Sequence, residues 1–143
     1  MLTIKTIGDK VLERHSKRVA KIDDTIRNLC ASMMNTMMQN NGIGLSAPQV
    51  GISKQIIVAL INQNPKCFIN PEIIHHSQET ETCEEGCLSI PDTFVPVERY
   101  KSIKIKYRDL SGRPRVETYE NLEARVIQHE IDHLWGKLMI KRD

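Results

Sequence analysis

The chain has 143 residues, 40% hydrophobic and 27% charged, with a formal net charge of +2. That length suits one domain with a real core, so residues 1–143 are read as a single domain. The small, interspersed charge argues against specific nucleic-acid binding, and no run approaches the ~20 apolar residues that span a bilayer. Met1 to Lys10 carries Lys5, Asp9 and Lys10 and lacks a signal-peptide core. The chain is therefore expected to be cytoplasmic, with Cys30, Cys67, Cys83 and Cys87 reduced.

In chain order, Asp9–Glu13 suits a short helix, and Asp23 or Asp24 caps a longer one running to about Asn40. Ile22, Ile26, Leu29, Cys30, Met33 and Met37 recur three to four residues apart, which predicts an amphipathic helix with a sulfur-rich buried face. The methionines there, Met34 and Met38 included, read as flexible core filler, and Cys30 as core. Asn40-Asn41-Gly42 ends the helix, and Gly42 to Gly51 follows as a loop or sheet edge, because Pro48 cannot donate to a central ladder. Gln55–Ile61 is a continuous apolar run, a buried strand. Cys67–Ile74 is another, interrupted at Asn70-Pro71, and His75 and His76 follow in a polar loop where neighbouring rings chelate poorly. His15 reads as a surface residue. Ile103, Ile105 and Tyr107 alternate with Lys104 and Lys106 in a half-exposed strand, which turns at Asp109–Gly112 and returns over Arg115–Tyr119. Asn121 is placed as the cap of a late helix that Gly136 stops, and Lys137–Asp143 as a short strand or hook. The fold class is α+β, with antiparallel sheets packed around the late helix and an N-terminal amphipathic helix.

The late helix carries Gln128-His129-Glu130-Ile131-Asp132-His133. Residues four apart share a helix face, so His129 and His133 can reach one metal ion, with Glu130 beside it to take a proton from a bound water. The same spacing also fits an exposed helix face with no metal. A catalytic site needs a third ligand, and the continuation of one zinc-protease pattern fails here because Met139 stands where its last histidine falls. Glu84-Glu85-Gly86-Cys87-Leu88-Ser89-Ile90-Pro91 offers a candidate: a thiolate from Cys87 completes a His₂Cys set with one position open for water.

Three stretches together, Gly42-Ile43-Gly44-Leu45-Ser46-Ala47-Pro48-Gln49, Glu85-Gly86-Cys87-Leu88-Ser89 and Gln128-His129-Glu130-Ile131-Asp132-His133-Leu134-Trp135-Gly136, resemble the signature motifs of peptide deformylases in the family's order. Ser46 departs from the alanine usual there. The resemblance implies hydrolysis of N-formylmethionyl peptides or nascent chains, with release of formate. It implies one divalent ion on Cys87, His129 and His133, Fe²⁺ in cells, with Zn²⁺, Ni²⁺ or Co²⁺ able to serve. Glu130 moves protons, and the Gln49 amide with the Leu88 N–H stabilises the oxyanion. Backbone groups at Ile43, Gly44 and Gly86 pair with substrate as an added strand, and Ile43, Leu122, Val126 and the wall of His129 receive the methionine, with Cys83 a further contributor. Glu85 and Arg99 form a supporting ion pair; Arg125 is a structural or rim residue or a plain surface charge, and Asp132 orients the helix or a ligand, a choice the sequence leaves open. The chain stops ten residues after His133, an outline similar to phage-encoded or organellar-type cores that lack a C-terminal extension. Weak or transient ribosome contact is expected on that basis, and the chain is separately expected to be a monomer. Two other readings share the metal helix: a metallopeptidase cutting other amides, which normally takes a carboxylate or histidine as third ligand, and a non-catalytic metal-binding domain, which needs neither Glu130 nor Gln49.

Overall fold

The computed structural model describes residues 2–140. Helix α1 spans Asp24–Gln39 and is capped by Asp23, whose carboxylate accepts the Ile26 N–H at 3.1 Å. Strands follow at Gly44–Ser46 (β1), Ile56–Ile61 (β2), Asn64–His76 (β3), Thr80–Cys87 (β4), Ile90–Tyr100 (β5), Ser102–Arg108 (β6) and Pro114–Glu120 (β7), before helix α2 at Asn121–Leu134. Five of them pair in the order β1-β2-β3-β6-β7, and β4 with β5 forms a separate two-stranded sheet. All of these strand pairings are antiparallel, so the expected mixed α+β class with antiparallel sheets holds.

The continuous apolar run in β2 has a simple cause: both faces of the strand are covered. Side chains alternate across a strand. Ile56 and Val58 pack with Cys30, Met33 and Met37 of α1, while Ile57 and Ala59 pack with Ile127, Ile131 and Leu134 of α2. Ile103, Ile105 and Tyr107 of β6 join the second cluster, and Lys104 and Lys106 stay exposed. The sulfur-rich face of α1 is core as expected, except that Met38 is exposed. Among the described residues, no helix is long and apolar enough to cross a membrane.

Several local expectations change. The segment Asp9–Glu13 is a 3₁₀ turn at Lys10–Glu13 with Asp9 as its cap. β3 runs through Asn70-Pro71, absorbing the proline in a register shift between Ile69 and Glu72. His75 and His76 therefore end a strand; His76 stacks on Tyr100 at 3.7 Å between ring centroids. The β4–β5 hairpin has no apolar alternation to announce it, since Glu85 is the one fully buried residue of β4. Asn121 does not cap α2. It is the first helical residue, at φ 56°, with its N–H given to the Lys101 carbonyl, and Glu120 at the cap position makes no side-chain bond. Gly136 does follow the helix end, at φ 75°, where a Cβ would lie 2.5 Å from the Glu13 carbonyl oxygen. Of the strand or hook expected over Lys137–Asp143, Lys137–Ile140 forms no strand and bends at Met139 and Ile140, and the remaining three residues lie outside the described residues.

Candidate active site

Three elements meet over the α2 face. Helix α2 presents His129 and His133 one turn apart, with ring centroids 5.1 Å from each other. The end of β4 brings in Cys87, where the hairpin register shifts between Gly86 and Cys87. The 3₁₀ turn Ala47–Val50 that follows β1 brings in Gln49. The Cys87 sulfur lies 3.3 Å from His133 Nε2, and the ligand atoms of Cys87, His129 and His133 all fall within 4.8 Å of one another.

The surroundings suit a cation. His129 Nδ1 faces Glu85 Oε1 at 2.9 Å, which turns Nε2 toward the other two ligands and matches the usual support of a metal-bound imidazole. Burial opposes a positive His129. Glu130, Cys87 and Glu85 outweigh it and hold its pKa up at about 10, so this spot favours positive charge. Burial, aided by the charges of His129 and Arg99, pushes His133 down to about 3, which leaves its ring neutral and able to donate a lone pair. Two imidazoles and a sulfur form the nitrogen and sulfur donor set of zinc and related transition metals.

Glu130 is 4% exposed, and its Oε1 has no hydrogen-bond partner. Burial pushes its carboxyl up to about 7, against the lowering effect of His129 and Arg99. A carboxyl poised near neutral pH is suited to exchange protons with a reacting water. Gly44 lies against it: a Cβ there would stand 2.6 Å from Glu130 Oε2 and 2.7 Å from Val126 Cγ1. Only glycine lets the β1 edge come this close.

Cys87 borders a cavity of about 540 Å³, and His133, buried, does not. Ile43, Gly44, Gly86, Leu88, Leu122 and Val126 all border it, as do Gln49, His129 and Glu130. Val126 is a buried wall, whereas Ile43 and Leu122 are exposed at the rim. Cys83 does not border it; its sulfur faces Glu81 on the hairpin. Sequence reasoning missed Phe94, an exposed ring over Gly86 at the cavity mouth. It also missed Ser89, whose hydroxyl accepts from Gln49 Nε2 at 3.1 Å. Phe94 has no local pattern that announces it, whereas Ser89 stands inside the Glu85–Ser89 motif with no role assigned to it.

Glu85 ties the hairpin to α2. Arg99 donates from Nε at 3.0 Å and Nη2 at 2.9 Å, Arg125 from Nη1 at 2.6 Å, and His129 meets the same carboxylate. Burial raises its pKa, but hydrogen bonds from His129 and Arg99 prevail and hold it at about 2. Arg125 also donates to the Val97 and Glu81 carbonyls, so it is a buried anchor, not a rim charge. Arg99 reaches onward to Asp132, giving that residue the partner the sequence left open.

Comparison with known proteins points one way. Residues 1–142 match the family model described as "Polypeptide deformylase". The chain is similar to a peptide deformylase of Synechocystis sp., 47% identical over 146 residues that cover 99% of this chain and 78% of that protein. The crystal structure of peptide deformylase from Thermotoga maritima superposes with a TM-score of 0.94 at 46% identity, covering 96% of this chain and 94% of that one. A Met-Ala-Ser-bound class I type b peptide deformylase from Acinetobacter baumannii gives a TM-score of 0.92 at 34% identity, covering 97% and 96%.

Proposed function

We propose a division of labour among the site residues from the premise that this chain belongs to the polypeptide deformylase family. It is a metal-dependent hydrolase that removes the formyl group from formyl-methionyl nascent peptides. On our reading residues 1–143 act as one catalytic domain, and Cys87, His129 and His133 hold the ion. Bound there, a divalent ion would supply Lewis-acid chemistry and lower the pKa of a water toward neutrality. Glu130 takes the proton of the attacking water and returns it to the departing amine. The Gln49 amide and the Leu88 N–H donate to the oxygen that becomes negative in the tetrahedral intermediate. Ile43 and Gly44 on one side and Gly86 on the other pair with the peptide as an added strand. The methionine side chain enters along Val126, with Ile43 and Leu122 closing over it at the rim. Glu85 and Arg99 set the angle of His129 and of the Cys87 loop. Ferrous iron is the cellular ion, as the family resemblance implies, and the reaction belongs to the cytoplasm where formylated chains are made. With a net charge of only +2, contact with the ribosome stays weak.

The observation that carries this reading is the convergence of three ligand atoms within 4.8 Å, two of them from residues that border a cavity together with a buried carboxylate. Its test is formate release from formyl-Met-Ala-Ser by protein purified anaerobically. One formate and one free amine should appear per peptide, and cleavage of internal amides instead would assign a metallopeptidase. Cys87→Ala should keep the fold while its metal content, measured by elemental analysis, falls well below one per chain. Unchanged stoichiometry would move the third ligand elsewhere.

A further inference from the structure

We propose that the buried hydroxyl of Ser46 is a positioning group for the Gln49 side chain, fixing its amide so that one N–H is left aimed at the metal ligands. Ser46 and Ser89 are 0% exposed and Gln49 is 1% exposed, so none of the three has water to fall back on. The amide oxygen of Gln49 accepts the Ser46 backbone N–H at 2.9 Å and the Ser46 hydroxyl at 3.0 Å. Its nitrogen donates to Ser89 Oγ at 3.1 Å and lies 3.5 Å from Cys87 Sγ.

A primary amide has two acceptor lone pairs and two N–H donors. Ser46 fills both lone pairs, and Ser89 takes one N–H. The remaining N–H faces Cys87, the side from which the reacting oxygen would be held. A backbone N–H can only donate, so it draws the oxygen end of the amide toward β1. One such bond still leaves the terminal torsion broad, because rotation about an sp³–sp² bond has no sharp wells. The hydroxyl supplies a second, differently placed donor to the same oxygen and narrows that rotation. Ser46 and Gln49 also stand at the cap and third positions of a capping box on the turn Ala47–Val50, which ties the amide to the backbone that carries it.

This inference rests on Gln49 acting as a donor to the intermediate. The experiment measures kcat and KM on formyl-Met-Ala-Ser for metal-loaded wild type, Ser46→Ala, Gln49→Ala and the double variant, with metal content and thermal midpoint as controls. Gln49→Ala should lower kcat by roughly 10²- to 10³-fold. Ser46→Ala should lower kcat by about fivefold with KM unchanged, the scale of one neutral hydrogen bond. In the Gln49→Ala background, removing the Ser46 hydroxyl should cost nothing further in kcat, because there is no amide left to position. Wild-type kcat in Ser46→Ala alone would overturn the positioning role and leave the donor reading standing. The same fivefold loss on top of Gln49→Ala would show a merely structural hydroxyl and also overturn it. Wild-type kcat in Gln49→Ala would remove the donor reading and this inference together.

Discussion

Replacing Glu130 with glutamine is expected to lower kcat by about a thousandfold while the chain keeps its metal. Glutamine matches the shape of the side chain but cannot accept a proton. Glu130 lies outside the Cys87, His129 and His133 cluster, so metal content should not change. Its Oε1 has no partner, so little hydrogen bonding is lost with the charge. Burial raises the carboxyl to about 7, and only the ionised form accepts a proton. A divalent ion beside the carboxylate favours its charged form. The acid limb of wild-type activity should therefore lie below the metal-free value of about 7, and it should vanish in the residual activity of Glu130→Gln. A carboxyl whose folded pKa is raised costs stability as pH climbs from the ordinary carboxylate range through its folded value. The glutamine variant, stripped of metal, should thus be at least as stable as wild type at pH 8. Near-normal turnover, or loss of metal, would remove Glu130 from the proton path.

Glu85→Gln should cost about 3 kcal/mol of stability at neutral pH, read from denaturant unfolding. Glu85 is 7% exposed and its two oxygens receive Arg99, Arg125 and His129. The amide would leave two buried guanidinium groups short of a counter-charge and turn an N–H₂ against one of the donors. The loss should depend on pH in a definite direction. The wild-type carboxyl is held at about 2 against an ordinary 4.5. Its contribution is therefore complete above about pH 4.5 and drains away as pH falls toward 2. The gap between wild type and variant should be full at pH 7 and shrink steadily below pH 4.5. A gap that is absent at pH 7, or undiminished at pH 3, would show that the carboxylate does not hold the hairpin to α2.

That carboxylate also marks where the sequence stops being legible. His129, Glu130 and His133 declare themselves because their spacing is a helical one, and helices are local. β2 and β6 declare themselves through apolar runs and alternation. The β4–β5 hairpin does not, because it buries little apolar surface and is fastened by charge instead. Arg125 meets Glu85 across 40 residues and Arg99 meets Asp132 across 33, distances over which no periodicity operates. The pairing of Glu85 with Arg99, and the roles given to Gln49 and Leu88, came from family resemblance and not from residue pattern. Asn121 failed as a cap for a physical reason: asparagine tolerates positive φ as well as it caps, and here it serves the tight entry from β7 into α2.

Among the described residues helix α2 follows all seven strands and covers one face of the five-stranded sheet. During synthesis that order has a cost. Ile57, Ala59, Phe68, Ile103 and Ile105 leave the ribosome well before the helix that buries them, so the nascent sheet carries a bare apolar face while it waits. The α1 face is already covered by then, because α1 precedes the sheet. The nascent chain is therefore half-finished in an asymmetric way, sticky on one side and closed on the other. The segment that ends this exposure also carries both histidines, so the newborn chain loses its stickiness and completes its ligand set in the same step.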